Sequence, residues 1–470
     1  MHDIRVCESG GEQMKRVYNS ILECIGNTPL VRLNHVTKGL KCTVYAKVEF
    51  FNPAGSIKDR VAKQIIEDYE KEGRIQKGGT IIEGTSGNTG AGLALMAADR
   101  GYQATFVMPD KQSEEKRQAL RAWGAKVVIT PTDVAADDPR SYYKVSERLV
   151  QETENSCYAN QYHNPSNPKA HYLSTGPELW DQLDGNIDVF IAGVGTGGTI
   201  AGIGRYLKEQ KKEVQVVGID PVGSLYYDYF YSGVQTQPYT YVLEGIGEDF
   251  MPSTMDFQYV DDVVRVHDQE CFEMTRRLVR EEGIFAGASC GAAVVGALKY
   301  LRQHDREGII AVVILPDSAK NYLSKVFNDK WMEENGFMDS PEDMGSVSDI
   351  IKLKGKSTLL SMTHDTNIRN AIALLKKHGI SQAPVMKEGK LLGVITERQL
   401  LERALKGKTE ETVEDWIDLN FCVVHDHTEI TVLKELFRRF EVALVYKERT
   451  SPKDIITRID LADYISNKRG

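Results

Sequence analysis

The sequence predicts an α/β domain built around a parallel β-sheet, followed by a smaller α+β module made of two similar copies. Between about residue 20 and residue 335, short apolar runs alternate with amphipathic helical patterns, and this alternation is typical of βαβ units. Near the C-terminus one segment repeats: His364-Asp365 recurs as His425-Asp426, and Ile395-Thr396 recurs as Ile456-Thr457. The two pairs have the same offset, which indicates a duplicated structural unit.

The length, charge and cysteine content exclude several classes of protein. The 470 residues are enough for two or three domains with buried cores. A net charge of −9 argues against a nucleic acid or an anionic membrane as the main partner. The seven cysteines are scattered, odd in number and without a Cys-x-x-Cys pair. We therefore expect a cytoplasmic protein with no metal site, and the N-terminus lacks the apolar run of a signal peptide.

The strands of the α/β domain are predicted from apolar, mostly β-branched runs. They are CTVYAKVE, GTIIEGT, ATFVMP, KVVIT, DVFIAGVG, VQVVGID and IIAVVILPD, and the helical patterns between them include IKDRVAKQIIEDYEKEG and TIAGIGRYLKEQ. Ligands of open α/β sheets bind at the carboxyl ends of the strands. The turns that follow the strands are therefore the places to look for function.

A polar stretch, NGFMDSPEDMGSVS, interrupts the alternation and predicts a linker over residues 335–348. The predicted organisation is an N-terminal extension over 1–17, the α/β domain over 18–334, this linker, and two β-α-β-β-α copies over 349–470. A single copy would leave one face of its sheet uncovered, so we expect the copies to pair.

The first turn of interest, FNPAGSIKDR, places Lys58 on the first turn of a predicted helix. Ser56 is expected to cap this helix, and Asp59 three residues later is expected to complete a capping box. Two interpretations of Lys58 remain open at this point. It is either a solvated helix lysine or an amine held for Schiff-base chemistry.

Two further turns are rich in glycine. In GTSGNTG, at 84–90, hydroxyl and amide side chains with glycines expose backbone N–H groups at a helix N-terminus, which favours a carboxylate site over a plain βα turn. In GVGTGGT, Gly193, Gly195 and Gly198 match the dinucleotide fingerprint G-x-G-x-x-G, and Asp220 ends the next strand. The same loop would hold a phosphate monoester equally well through backbone amides and two threonine hydroxyls.

A fourth turn, EEGIFAGASCGAAVVGAL, places Ser289 and Cys290 among small residues. Cys290 has no identifiable base beside it in the sequence. It is therefore interpreted as a small buried residue and not as a nucleophile.

Taken together, PAGSIKDR, GTSGNTG, GTGGTIAG, GIFAGASCG and ILPDSAKNY, in this order, resemble the fold-type II pyridoxal-phosphate enzymes. This is the tryptophan synthase β-like fold, and the family includes cysteine synthases and cystathionine β-synthases. The resemblance covers roughly residues 18–335. The duplicated tail resembles a tandem pair of CBS motifs (a Bateman module), which a cysteine synthase usually lacks. DPVGS and EGIGEDFMP also resemble cystathionine β-synthases, especially bacterial ones.

The resemblance implies roles for individual residues. Lys58 matches the lysine that carries the cofactor and removes the Cα proton, and Ser289 matches the neutral partner of the pyridine nitrogen. The other implied cofactor contacts are Asn88, Gly195, Thr196, Gly197, Gly198 and Thr199. The implied substrate contacts are Thr85, Ser86, Thr89, Gln161, Tyr162, Gly245 and Glu248. For Tyr162 the alternative is a plain core aromatic.

The sequence departs from the animal enzymes in two places. They carry a tyrosine where this chain has Glu248, and we hypothesise that Glu248 meets the ammonium group of homocysteine; the alternative is a surface glutamate. The haem-binding extension is also missing, because only about 17 residues precede the core and nothing near Cys7 supplies a Cys…His pair. We therefore expect no haem.

Paired CBS motifs commonly bind adenosine derivatives, with the acid of a Thr-x-x-Asp on the ribose. The second copy has Thr457 and Asp460, whereas the first has Thr396 and Gln399, so the acid is lost there. The resemblance implies S-adenosylmethionine as the effector. The alternative is a degenerate pair that serves only subunit contacts.

The resemblance implies a lyase of transsulfuration that replaces the hydroxyl of L-serine by the thiol of L-homocysteine, giving L-cystathionine, and that also releases hydrogen sulfide from cysteine. The alternatives are a cysteine synthase-like enzyme using O-acetylserine, a dehydratase, an NAD-dependent dehydrogenase, and a catalytically inert sensor of an adenosyl ligand. A homodimer or homotetramer is expected from the family.

Overall fold

The computed structural model describes residues 17–85, 87–110, 112, 114–132, 134, 138–338, 344–355, 359–447 and 452–469. The strands are β1 Leu30–Arg32, β2 Thr43–Val48, β3 Thr80–Gly84, β4 Gln103–Pro109, β5 Lys126–Thr130, β6 Ser156–Tyr158, β7 Val189–Gly193, β8 Gln215–Pro221, β9 Asp262–Val266, β10 Ile310–Leu315, β11 Met362–Thr363, β12 Gln382–Lys387, β13 Lys390–Thr396, β14 Phe421–His425, β15 Val442–Tyr446 and β16 Pro452–Thr457.

The helices alternate with these strands over most of the chain. They are α1 Lys58–Lys71, α2 Asn88–Arg100, α3 Glu114–Ala122, α4 Tyr142–Glu152, α5 Ser166–Ala170, α6 Gly176–Gln182, α7 Gly198–Gln210, α8 Tyr226–Ser232, α9 Asp268–Glu282, α10 Ala288–Gln303, α11 Asp329–Glu334, α12 Val347–Lys354, α13 Ile368–His378, α14 Glu397–Leu405, α15 Ile430–Leu436 and α16 Arg458–Arg469. A π-helical turn, His171–Thr175, joins α5 to α6. No helix in the described ranges has both the length and the apolar character that crossing a bilayer requires.

The chain forms two compact units. The first contains the chain up to Pro29 and Val48–Gln161. Its sheet has the strand order β5-β4-β3-β6, and all pairs are parallel. Helices α1 and α2 pack on each other and share a core with the sheet that includes Ile65, Leu93 and Phe106.

The second unit contains Leu30–Lys47 and Tyr162–Gly470. Its six-stranded sheet has the order β1-β2-β10-β7-β8-β9. The pairs from β10 to β9 are parallel, whereas β1 pairs antiparallel with β2. Strands β7, β8 and β10 are buried along almost their whole length, as expected for a sheet covered by helices on both faces.

The C-terminal part of this second unit consists of two copies with the same topology. Each has a three-stranded sheet, β11-β12-β13 in one copy and β14-β15-β16 in the other. In both sheets the first pair is parallel and the second is antiparallel. The predicted order β-α-β-β-α is therefore confirmed for each copy.

The expectation of a single parallel sheet in the α/β domain is wrong, because its strands divide into two sheets and one edge strand is antiparallel. Periodicity identifies a buried strand but not its neighbour in the sheet. The sequence also gave no signal for β1, β6 or β9. The first two have only three residues each, and β9 carries an aspartate and an arginine among its valines.

Candidate active site

Lys58 is the first residue of α1 and is half-buried. Its backbone N–H donates to Ser56 Oγ at 3.2 Å, but Asp59 does not complete the predicted capping box. Asp59 Oδ2 accepts instead from the N–H of Ala54 at 2.6 Å. The capping-box prediction is wrong because this carboxyl group closes the turn before Lys58. Burial raises the pKa of Asp59 to about 7.

A buried ion pair supports this turn from the side. Arg60 donates from Nε and Nη2 to the two carboxylate oxygens of Glu49, each at 2.8 Å. Asn52, in the turn itself, donates from Nδ2 to Glu49 Oε2 at 2.9 Å. A two-point pair of this kind fixes orientation as well as distance. The backbone before Lys58 is therefore fixed both by the Asp59 carboxyl group and by this ion pair.

The second predicted turn joins β3 to α2 as expected, and Ser86 lies outside the described residues. Thr85 Oγ1 accepts from the N–H of Gly87 at 3.0 Å and from the N–H of Gly90 at 3.1 Å. Gly87 has φ of 129°, a conformation that favours glycine. Asn88 opens the helix and is half-buried. The hydroxyl of Thr85 therefore organises the turn from within.

Gln161 is brought to the same turn. Thr89 Oγ1 donates to Gln161 Oε1 at 2.6 Å. The buried carboxyl group of Glu83, at the end of β3, accepts from the N–H of Asn160 at 2.6 Å and from that of Gln161 at 3.1 Å. Burial raises the pKa of Glu83 to about 8. Glu83 was not singled out from the sequence, because an acid inside a strand pattern gives no periodic signal.

Helices α1 and α2 approach each other closely beside Lys58. A Cβ added at Gly92 would lie 2.9 Å from the carbonyl oxygen of Lys58 and 3.0 Å from the Cβ of Ala62. Glycine at this position therefore sets the distance between the helix that carries Lys58 and the helix that follows the GTSGNTG turn.

In the second unit, the Gly195–Thr199 turn lies between β7 and the N-terminus of α7. Gly197 caps the helix with φ of 81°. The N-terminus of the thirteen-residue helix α7, together with two threonine hydroxyls and the backbone amides of the turn, makes this turn suitable for a phosphate group. The chemistry of the turn fits a phosphate monoester and a dinucleotide equally well.

Helix α5 and the π-helical turn lie against the start of α7. Asn167 Nδ2 donates to Thr196 Oγ1 at 2.8 Å, and the Nε2 of the buried His171 lies 3.2 Å from Thr199 Oγ1. A Cβ added at Gly198 would lie 2.0 Å from Asn167 Oδ1. These two residues were missed in the sequence, because they are distant from the turn along the chain.

Ser289 is buried near the start of α10. It lies close to Gly195 and Gly245, which the resemblance places in the cofactor and substrate sites. A Cβ on Gly195 would lie 3.0 Å from the carbonyl oxygen of Gly245, and a Cβ on Gly245 would lie 3.7 Å from Ser289 Oγ. The structure therefore brings together Gly195, Gly245 and Ser289. The adjacent Cys290 is buried and its thiol lies 3.3 Å from the carbonyl oxygen of Asp317, and burial raises its pKa. It is not a poised nucleophile.

Tyr162 and Glu248 lie beside this cluster in different ways. Thr254 Oγ1 lies within hydrogen-bond distance of the carbonyl oxygens of Tyr162, at 3.0 Å, and Thr196, at 2.6 Å. The main chain of Glu248 is held by Ser224, whose Oγ accepts from its N–H at 3.0 Å. Glu248 is half-buried. This exposure fits neither a fully exposed surface glutamate nor a fully buried binding residue.

The effector residues Thr457 and Asp460 lie in the second C-terminal copy. Asp460 Oδ2 accepts from the N–H of Thr457 at 2.7 Å and from its hydroxyl at 2.8 Å, and it pairs with Lys354 Nζ at 3.3 Å. In the first copy, Gln399 makes the equivalent contacts to Thr396. The motif thus caps a helix in both copies, whichever residue occupies its last position.

No group of three or more His, Cys, Asp or Glu side chains able to hold a metal ion occurs within the described ranges.

Comparisons with known proteins identify relatives of both parts of the chain. The family described as "Pyridoxal-phosphate dependent enzyme" matches residues 21–317, and the family described as "CBS domain" matches residues 347–406.

The chain is 40% identical over 468 residues to a cystathionine beta-synthase of Dictyostelium discoideum, covering 96% of this chain and 93% of the relative. It is 41% identical to that of Mus musculus, covering 93% of this chain and 79% of the relative. Among solved structures, a hydrogen sulfide-producing enzyme from Fusobacterium nucleatum matches with a TM-score of 0.61 and 36% identity. The match covers 65% of this chain and all of that one.

Proposed function

This chain belongs to the pyridoxal-phosphate dependent enzymes and, within them, to the cystathionine beta-synthase family, and from this premise we propose that it condenses L-serine with L-homocysteine to give L-cystathionine. The observation that carries the proposal is the 40% identity to a cystathionine beta-synthase over 96% of the chain, which spans the turns and both C-terminal copies. The dinucleotide interpretation of the Gly195–Thr199 turn is set aside, because the family that matches this region uses pyridoxal phosphate.

The residues present fit pyridoxal phosphate. The Gly195–Thr199 turn offers amides and hydroxyls to its phosphate, and Gly195 approaches the carbonyl of Gly245 so closely that a side chain would have little room. The buried hydroxyl of Ser289 suits the ring nitrogen and Asn88 suits the phenolic oxygen. The amine of Lys58 is the attachment point. When bound, this cofactor supplies an electron sink that makes the Cα proton and the β-substituent of serine labile.

The chain's own residues then bind, orient and transfer protons. Thr85, Ser86 and Thr89 hold the carboxylate of serine with Gln161, and Tyr162 lines the pocket. Lys58 Nζ removes the proton from Cα. The C–O bond at Cβ breaks and the hydroxyl takes up a proton to leave as water. The homocysteine thiol gives up its proton as its sulfur bonds to Cβ, and Lys58 returns a proton to Cα. Serine and homocysteine thus give cystathionine and one water, with no oxidant or reductant required.

Glu248 is proposed to bind the ammonium group of homocysteine, and its half-buried position near the turn at Gly245 supports this role. Glu248→Gln should raise the KM for homocysteine and leave the KM for serine unchanged. Asp249→Asn, which changes an exposed neighbouring acid, is the matched control. An unchanged KM for homocysteine in the Glu248 variant would exclude this role.

The choice of donor is tested by competition. With homocysteine present and serine and O-acetylserine supplied together, we expect serine to be consumed with the larger kcat/KM. Preferential use of O-acetylserine with sulfide as the acceptor would assign the protein to the cysteine synthases.

Release of hydrogen sulfide is a second activity of the same site. Cysteine in place of serine would lose sulfide from Cβ where serine loses water, and homocysteine would be consumed in equal amount. The similarity to a hydrogen sulfide-producing enzyme supports this proposal. Sulfide release from cysteine and homocysteine that does not match cystathionine formation would contradict it.

The C-terminal copies are proposed to regulate the enzyme by binding S-adenosylmethionine at Thr457 and Asp460. The described side-chain contacts of Asp460 all use Oδ2, which favours Oδ1 as the acceptor for ribose hydroxyls. Asp460→Ala should abolish the heat of S-adenosylmethionine binding in calorimetry, whereas Gln399→Ala should not. If the unaltered protein shows no heat of binding with S-adenosylmethionine, the copies do not bind this effector and serve only subunit contacts.

The remaining assignments follow the family. We propose a catalytic domain over 18–334, preceded by an extension over 1–17 and followed by a linker over 335–348 and a regulatory domain over 349–470. We also propose a cytoplasmic homodimer or homotetramer without haem. A Soret band in the purified protein would contradict the absence of haem, and sedimentation would decide the assembly.

A further inference from the structure

In the edge strand β14 of the second C-terminal copy, one residue, Val423, makes two hydrogen bonds to side chains of the catalytic part. β14 pairs only with β15 in its sheet, so its other edge faces outward. On that edge the N–H of Val423 donates to Asp228 Oδ1 at 2.9 Å, and its carbonyl oxygen accepts from Arg265 Nη1 at 2.7 Å. An aspartate and an arginine thus make the two hydrogen bonds that a neighbouring strand would make.

The two side chains also form an ion pair with each other. Arg265 Nη2 lies 2.7 Å from Asp228 Oδ1, and the side chains are 6% and 4% exposed. Thr236 Oγ1 donates to the second oxygen of Asp228 at 2.9 Å. The removal of one partner from a buried pair leaves an uncompensated charge. The copy therefore cannot separate from the catalytic part without exposing or stranding this pair.

Aromatic and apolar contacts surround this anchor. The guanidinium of Arg265 lies 4.1 Å from the ring centre of Tyr227, and the ring of His425 in β14 packs against that of Tyr231 at 4.4 Å. Val222 belongs to the same apolar cluster as Val424 and other side chains of the second copy. Apolar and aromatic side chains of the second copy and the catalytic part thus pack together around the Asp228–Arg265 pair.

Asp228 and Tyr227 belong to α8, whose first residue reaches the proposed phosphate turn. Tyr226 OH donates to the carbonyl oxygen of Gly195 at 2.6 Å. Residues two apart in a helix point to opposite sides, so Tyr226 and Asp228 lie on opposite sides of α8. One side of this short helix contacts the phosphate turn and the other contacts β14.

The bond from Tyr226 also sets the direction of an amide in the phosphate turn. A trans peptide group is planar, with its C=O and N–H pointing in opposite directions. Tyr226 holds the carbonyl of Gly195 and thereby fixes the direction of the Thr196 N–H. Thr254 does the same for the next peptide, because its Oγ1 lies 2.6 Å from the carbonyl oxygen of Thr196.

We propose that the second C-terminal copy is a fixed part of the catalytic unit, and that α8 transmits its docking to the cofactor's phosphate turn. Asp228 and Arg265 anchor the copy, and Tyr226 is the positioning residue for Gly195. This inference rests on the proposed function, because it takes 195–199 as the phosphate turn. Any movement of the C-terminal module then belongs to the first copy.

Tyr226→Phe tests the proposal with the smallest change, since it removes only the hydroxyl. Affinity for pyridoxal phosphate, titrated by its visible absorbance, should fall by a factor of about 2 to 10, the value of one net hydrogen bond. Hydrogen exchange of the 193–199 amides in cofactor-free protein should be faster. Tyr229→Phe, the same change on the same helix, should alter neither. Equal effects of the two variants would overturn the positioning role.

Asp228→Asn tests the anchor. We expect faster exchange in both β14 and the 193–199 turn, and weaker pyridoxal phosphate binding. Tyr239→Phe, whose lost hydroxyl has no hydrogen-bond partner among the described residues of this interface, should change neither the turn nor the affinity. Faster exchange in β14 with an unchanged turn would overturn the transmission through α8. If Asp228→Asn does not fold, Tyr226→Phe still decides the outcome.

The two proposals fail in distinguishable ways. Unaltered protein that binds no pyridoxal phosphate contradicts the proposed function, whereas exchange in the cofactor-free variants still tests the link from β14 to residues 193–199. Unaltered protein that binds the cofactor, together with variants that behave like it, contradicts the link alone.

Discussion

The hydroxyl of Thr89 donates a 2.6 Å hydrogen bond to the side-chain oxygen of Gln161, although the two residues are 72 positions apart in the chain. The contact joins the turn after β3 to the segment after β6, two parallel neighbours in one sheet. It fixes the side-chain oxygen of Gln161 and thereby orients its amide group beside the turn that is proposed to bind the substrate carboxylate.

This contact predicts a binding defect for Thr89→Val, which keeps the shape and removes the hydroxyl. We expect the KM for serine to rise by roughly 3- to 30-fold with a smaller change in kcat, since a bond that orients a binding group acts mainly on substrate affinity. Thr89→Ser retains the donor and is the control. Steady-state kinetics in which both variants behave alike would contradict the role of the bond.

The raised pKa of Glu83 predicts how stability depends on pH. The folded state holds the proton up to about pH 8, whereas an unfolded glutamate loses it near 4.5. Between these values the folded state binds more protons, so the stability contributed by the neutral carboxyl group falls as pH rises. Urea unfolding of the protein and of Glu83→Gln across this window should therefore show the difference in unfolding free energy shrinking with increasing pH.

A control removes the contribution of other carboxyl groups. Glu152→Gln changes an acid of α4 whose side chain is 61% exposed, and its difference from the unaltered protein should stay nearly constant over the same window. A difference for Glu83→Gln that is constant or grows with pH would show that Glu83 is ionised throughout.

The close approach of Gly198 to Asn167 predicts that Gly198→Ala displaces the start of α7. The added Cβ would lie 2.0 Å from Asn167 Oδ1, a distance that forces a shift. We expect pyridoxal phosphate affinity to fall by about 5- to 150-fold, because overpacking costs about 1–3 kcal/mol. Absorbance titration measures it.

The same contact predicts a non-additive pair. Asn167→Ala alone loses the hydrogen bond to Thr196 Oγ1 and should weaken cofactor binding modestly, but combined with Gly198→Ala it removes the obstructing atoms. The double variant should therefore bind more tightly than the product of the single effects implies. Strict additivity would show that the clash is relieved elsewhere.

The sequence predicted the seven apolar strands quoted for the α/β domain and the topology of the duplicated copies, because these depend on local periodicity. It did not predict that the strands divide into two sheets, since a buried apolar run such as VFIAGVG has the same sequence pattern whichever sheet contains it. The capping box at Ser56 failed for a related reason: Asp59 had a nearer partner in Ala54, which only the folded turn provides.

The motifs located the turns of the candidate site, but not what holds them. Glu83, Asn167, His171 and Tyr226 each contact a turn residue through a side chain that carries no motif of its own. Their partners are between 29 and 78 positions away for three of the four contacts. Such pairs arise from the fold and are not visible in spacing along the chain.

The central claim is tested most directly by the mass of the product formed from serine labelled with heavy carbon. Purified protein with pyridoxal phosphate, labelled serine and unlabelled homocysteine should yield cystathionine that carries all the heavy carbons of serine. Lys58→Ala should yield none under the same conditions. Labelled pyruvate without cystathionine, or a product that forms only when O-acetylserine and sulfide replace serine and homocysteine, would contradict the account.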